Sequence, residues 1–168
     1  GRFNLDHNVS DRMRTGFSVG LNRSINNRIQ NDNNINGVLS TAVLVASDIP
    51  AFRADGTYAK DPGASTENPL AAAREPLISA INSRIIGTQY TEFEFIKNFV
   101  YRSTFGLDYL IFNDRTFFPT TTNTGRGVNG SAFAANAQDL NFNHISSFNY
   151  TKRFGEKHTL SGQAVAEY

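Results

Sequence analysis

Gly125-Arg126-Gly127-Val128-Asn129-Gly130 spells GxGxxG, the glycine spacing with which a backbone turn can cradle a pyrophosphate. That chemistry needs a strand before the glycines and a helix after them. Here they sit in a Thr/Asn/Gly loop that leads to another strand, so the motif reads as a flexible outer loop and no cofactor is expected. Asp32-Asn33-Asn34-Ile35-Asn36-Gly37 matches the first half of a calcium loop, but the twelfth position, where a bidentate Glu belongs, is Val43. The half-site supplies too few oxygens for calcium, and a polar turn-rich loop is the plainer reading. His7, His144 and His158 fall on different strands without metal-ligand spacing, so no metal is expected. Glu92 and Glu94 share a face, but no Ser/His/Asp or paired-carboxylate arrangement forms, and no enzyme is indicated. The sequons at Asn8, Asn22, Asn129 and Asn149 are what an Asn-rich chain yields by chance.

Composition narrows the class further. Of 168 residues, 39% are hydrophobic and only 18% charged, against about a quarter charged in soluble domains. Aromatics are abundant, with 14 Phe and 6 Tyr. The net charge of +1, without a basic stripe, gives no case for nucleic acid. The absence of cysteine excludes a disulfide scaffold and a thiolate site. No apolar run approaches the roughly 18 residues of a membrane helix.

The elements that would position these side chains are strands. In Met13, Thr15, Phe17, Val19 and Leu21 every second residue is apolar or small-polar, and Arg14, Gly16, Ser18, Gly20 and Asn22 alternate with them. The segment is close to the roughly 9–11 residues that a tilted strand needs to cross a bilayer. The same period recurs, and predicts strands over about 2–9, 13–23, 88–97, 101–112, 139–151 and 158–168. Tyr101, Ser103, Phe105, Leu107, Tyr109 and Ile111 share one face, as do Leu140, Phe142, Ser146, Phe148 and Tyr150. Tight turns are expected at 10–12, 98–100 and 153–157. Long polar loops are expected at about 24–85 and 113–137, the first with a short helix from Pro76 to about Ser83. Tyr90, Tyr109, Phe117 and Phe118 suit an interfacial girdle.

Short turns alternating with long loops are the asymmetry of an outer-membrane barrel, with turns toward the periplasm and loops outside. The fold class is therefore all-β: an antiparallel transmembrane β-barrel segment of about six strands with long extracellular loops. So few strands cannot close a membrane barrel, because the smallest type uses about eight. Both chain ends read as lying within strands, so a fragment of a larger barrel is expected. A soluble or surface-exposed β-sandwich acting as an adhesin or binding module is the alternative, since its strands also alternate. A passive porin is a third reading.

Ordered motifs carry a resemblance. Arg2-Phe3-Asn4-Leu5-Asp6 through Val9-Ser10-Asp11-Arg12-Met13-Arg14-Thr15-Gly16 resembles the barrel of SusC/RagA-like TonB-dependent transporters of Bacteroidetes outer membranes. Gly37-Val38-Leu39-Ser40-Thr41-Ala42, Asp55-Gly56-Thr57-Tyr58, Glu67-Asn68-Pro69-Leu70 and Gly87-Thr88-Gln89-Tyr90-Thr91-Glu92-Phe93 continue it in family order. Phe99-Val100-Tyr101-Arg102-Ser103-Thr104-Phe105-Gly106 and Phe154-Gly155-Glu156-Lys157-His158 complete it. The resemblance implies part of a gated importer whose barrel has about 22 strands. It further implies a SusD-like lipoprotein over the extracellular mouth and an oligosaccharide or peptide substrate. A plug would be driven by TonB with ExbB and ExbD, and both plug and TonB box are expected to be absent from this piece. The surroundings would be outer-membrane lipid. Arg14, Ser18, Asn22, Arg102, Asp108, Asn141, Asn143 and Gln163 are the candidates for a lumen-facing substrate path.

Overall fold

The computed structural model describes residues 1–30, 33, 35–63 and 65–168. Its strands are β1 (Arg2–Ser10), β2 (Met13–Arg28), β3 (Leu77–Ile96), β4 (Phe99–Phe118), β5 (Ser131–Phe154) and β6 (His158–Glu167). They form one antiparallel sheet in chain order, β1 to β6. Three short helices lie between strands: α1 (Val38–Leu44), α2 (Pro69–Arg74) and α3 (Asn123–Arg126). No helix among the described residues is long and apolar enough to cross a membrane, which leaves crossing by strands open. The chain divides into two units, described in turn: 1–23 with 82–111 and 138–168, and 24–81 with 112–137.

In the first unit, most cross-strand pairs put like with like, with Ser147 opposite Val165 and Ile145 opposite Glu167 as exceptions. Leu5 opposes Phe17 and Phe3 opposes Val19, while Asp6 opposes Gly16 and Asn4 opposes Ser18. At the other edge Phe148 opposes Ala164 and Tyr150 opposes Gly162, while Asn149 opposes Gln163. Opposed residues share a face, so one side of the sheet is apolar and the other polar. Aromatic rings continue the apolar side between strands: Phe3 with Phe17 at 5.4 Å, Tyr101 with Phe148 at 4.9 Å, Phe105 with Phe142 at 6.4 Å. Two-residue and three-residue turns close the strands, with Asn98 at φ 72° and Gly155 at φ 60°. Asn and Gly tolerate this left-handed backbone, which other residues adopt at a cost.

This unit has no apolar core. The buried apolar residues of the described chain are Ala59, Ala71, Ala72 and Ala80, and all belong to the second unit. The large apolar side chains of the first unit stand open, Leu140 at 59% and Phe142 at 58% exposure among them. Burying one such side chain is worth about 1.5–3 kcal/mol, so an entire face is left without its main stabilising term in water.

In the second unit, small hydrogen-bonded knots replace a core. Asn68 caps α2: its Oδ1 accepts from Leu70 N at 2.9 Å and Ala71 N at 3.3 Å, and Pro69 supplies the first helical residue. Its Nδ2 donates to Ala51 O at 3.0 Å and Ala59 O at 2.9 Å, which seals a small hairpin over 51–59. The hairpin turns at Asp55, whose Oδ1 accepts from Thr57 N at 2.9 Å and Thr57 Oγ1 at 2.6 Å. These donors hold its carboxyl below the usual range. Phe52 and Tyr58 stack across it at 5.3 Å. Helix α1 packs on α2 and buries Thr41.

The strands run further than alternation alone predicts. β3, β4 and β5 have 20, 20 and 24 residues, about twice what a bilayer crossing needs. The added stretches, 77–87, 113–118 and 131–138, carry polar residues on both sides, so backbone pairing continues where the face pattern stops. The loops shrink accordingly from 24–85 and 113–137 to 29–76 and 119–130. The helix expected from Pro76 is absent, because β3 starts at Leu77; the helices fall at α1 and α2 instead. The middle turn is 97–98 rather than 98–100, and the last is 155–157.

The isolated 168-residue chain, placed in buffer without detergent, should fail to give a monodisperse monomer that melts cooperatively. Sedimentation and calorimetry check this; a single sharp transition of a monomer would contradict it.

Candidate functional site

The polar face of the first unit carries several clusters of bonded side chains, drawn from β1 to β5. Its densest part surrounds Tyr90 on β3. The Tyr90 hydroxyl donates to Asp6 Oδ1 and accepts from Arg14 Nε at 2.9 Å. The Arg102 guanidinium lies 4.6 Å from the Tyr90 ring centroid and that of Arg14 lies 5.6 Å from it. Arg102 Nη1 in turn donates to Glu92 Oε1 at 2.8 Å. Four strands are thereby tied through one ring. Gly16 makes the space: a Cβ there would lie 2.6 Å from Asp6 Oδ1, 2.6 Å from Tyr90 Cε1 and 2.8 Å from the Leu5 carbonyl.

Further along this face Arg84 donates twice to the Asp108 carboxylate, with Nε at 2.8 Å. Ser18 donates to Asn4 Oδ1 at 2.6 Å and accepts from Arg2 at 3.4 Å. Asn141 donates to Asp139 Oδ2 at 3.1 Å. The Asn143 amide sits over Gly106, which has no side chain to exclude it, beside a notch of about 240 Å³ lined by Ile86, Thr88, Asp108 and Asn141. A wider cleft of about 510 Å³ lies between the 11–12 turn and Glu92 and Glu94. All these ion pairs are open to solvent, which screens them, so they add little to stability. Their effect is to balance charge and fix side-chain positions.

Of the eight path candidates, Arg14, Arg102 and Asp108 join these clusters, and Ser18, Asn141 and Asn143 lie on the same face with the partners given. Gln163 opposes Asn149 on β6, and Asn22 is exposed on β2. Sequence reading missed Tyr90, Asp6, Asn4, Arg2 and Arg84. Tyr90 was assigned to a girdle, yet it shares parity with Glu92 and Glu94, and that parity was the available signal. On the opposite face the few polar groups satisfy each other: Ser103 with His144 at 2.8 Å, Tyr101 with Ser146 at 3.1 Å. His7 opposes Thr15, so the histidines stay apart; no metal-binding cluster occurs among the described residues.

The GxGxxG segment begins in the last two residues of α3 and forms the turn after it. Thr122 caps α3 by accepting from Gly125 N at 3.1 Å, and a Cβ on Gly125 would strike the Phe118 and Pro119 carbonyls. The glycine is there for tight backbone packing, and a strand follows, as expected. In the calcium-like half-site, Asp32 and Asn34 lie outside the described residues, and Gly37 leads into α1.

No family model matches the chain. It is 29% identical over 164 residues to TonB-dependent receptor P3 of Formosa agariphila, covering 94% of this chain and 16% of that protein. It is 24% identical over 174 residues to TonB-dependent receptor P26 of the same organism, covering 99% of this chain and 17% of the relative. The chain thus spans about a sixth of the length of the curated relatives it matches, and it fits a fragment of a TonB-dependent receptor.

Replacing Gly16 with Ala in the full-length protein should cost about 1–3 kcal/mol, because the Leu5 carbonyl cannot move aside. Gly162→Ala, with open space around it, should cost nothing measurable. Denaturation midpoints in detergent compare the two. Asn68→Ala should cost about 2 kcal/mol or more locally, from a lost cap and orphaned carbonyls, and is read as faster proteolysis within 51–74.

Proposed function

We propose that this chain is a stretch of barrel wall from an outer-membrane importer that works through TonB. The carrying observation is the division of one sheet into an uncovered aromatic face and a polar face that carries three ion pairs, in a chain similar to TonB-dependent receptors. The aromatic face suits lipid. The polar face suits a wet passage, and Arg14, Ser18, Asn22, Arg102, Asp108, Asn141, Asn143 and Gln163 line it. Its amides, hydroxyls and balanced charges suit solutes with many hydrogen-bonding groups, either oligosaccharides or peptides.

The finer assignment is to the SusC/RagA type, with a SusD-like lipoprotein seated on the loops. Its support is the order of the motifs from Arg2 to His158. Two of those motifs have structural reasons: Glu67-Asn68-Pro69-Leu70 holds the α2 cap, and Asp55-Gly56-Thr57-Tyr58 turns the hairpin. The TonB–ExbB–ExbD machinery would act through parts of the receptor outside this chain.

Affinity purification of the full-length receptor from its own outer membrane should bring down a surface lipoprotein in stoichiometric amount. Cells lacking the receptor, or lacking TonB, should both lose uptake of one labelled oligosaccharide or peptide class. Uptake that survives loss of TonB would point instead to a passive porin. A receptor that leaves the membrane in aqueous extraction would favour the surface-exposed sandwich.

A further inference from the structure

Two segments of the second unit are each held together by their own bonds. One runs from the 51–59 hairpin through α2, tied by Asn68. The other is 118–130, where Thr122 Oγ1 donates to Pro119 O at 2.8 Å and Gly130 N donates to Gly125 O at 2.7 Å. Side-chain bonds join the segments. Glu67 Oε2 accepts from Asn123 N, Asn123 Nδ2 donates to Ser65 O at 3.0 Å, and Thr121 Oγ1 donates to Glu75 Oε2 at 2.7 Å.

Glu67 is the unusual member. It is 4% exposed, and among the described residues no cation pairs with it. Its donors are neutral amides, Asn123 N and Asn68 N, the latter at 3.3 Å. Beside it the Thr66 hydroxyl is buried without a hydrogen-bond partner. A carboxylate so placed is costly when charged, and a charged buried group either finds compensation, takes a proton or leaves.

We propose that Glu67 is the proton-sensitive latch that closes segment 118–130 onto segment 51–75. Protonated, the buried carboxyl remains in place and the two segments stay joined. Ionised, it gains more from water than from two amides, and the latch opens. Burial pushes the Glu67 carboxyl above its ordinary range, and the neighbouring Glu75 charge adds to the rise; the two amides pull the other way and are outweighed. On α3 the nearby cation, Arg126, is engaged with Thr121 O at 3.2 Å. The closed state thus binds the proton more tightly than the open one. Closure is complete below the ordinary carboxylate pKa of about 4.3 and is lost as pH rises through the raised value.

Nitroxides at Ala54→Cys and Gly127→Cys, both exposed and one in each segment, report the separation by pulsed electron resonance in the full-length receptor. As pH is raised from about 4, a longer distance should grow at the expense of a shorter one, the ratio rising by no more than about tenfold per pH unit, the limit for a single proton. Glu67→Gln, which keeps an acceptor without a charge, should hold the short distance throughout. Glu75→Gln, which removes a charge that raises the Glu67 carboxyl, should shrink the change in that ratio and complete it at a lower pH. An unchanged distribution across the titration overturns the latch, and so does a Glu67→Gln receptor that follows the same pH course as its parent.

Discussion

Large apolar side chains on one face of this sheet have nothing of the protein to pack against, and every other feature of the structure answers to that. With about 1.5–3 kcal/mol at stake for each Phe or Leu, the face requires a non-aqueous solvent or a second layer. The edge strands β1 and β6 add a requirement of their own. Unpaired backbone groups cost several kcal/mol each in lipid, so in the proposed membrane setting both edges would need further strands. Relatives about six times as long supply the chain from which such strands could come.

The opposite face obeys the complementary rule. Asp6, Arg14, Glu92, Arg102, Arg84 and Asp108 could not face hydrocarbon, but they sit comfortably at a wet surface in mutual pairs. Tyr90 gives these charges a common framework, and Gly16 and Gly106 are small because partners on neighbouring strands occupy their side-chain space. The result is a surface rich in hydrogen-bonding groups, with three ion pairs set among them.

The part of the fold with two unlike faces was legible in the residue order. From Met13 to Asn22 and from Tyr101 to Ile111, the pattern of side chains and the observed faces coincide. Beyond those stretches the strands continue by backbone pairing alone, as in 131–138, and periodicity carries no signal there. Pro76 misled because proline suits the residue before a strand as well as the first turn of a helix. The Asn68-Pro69 pair was a better helix signal, with a capping side chain followed by a residue that needs no amide hydrogen. Tyr90 was misassigned because its aromatic character outweighed its parity. The Glu67–Asn123 bond was beyond reach: 56 residues separate its partners, and neither lies in a periodic segment.

The most direct measurement scans nitroxide labels one by one along 139–144 of β5 in the full-length protein, in vesicles of its native membrane. Collision with oxygen, which dissolves in lipid, should peak at Leu140 and Phe142, while collision with a water-soluble nickel chelate should peak at Asn141 and Asn143. A flat profile, or labels at Leu140 and Phe142 shielded from both reagents inside a protein core, would contradict the lipid-facing reading of this sheet.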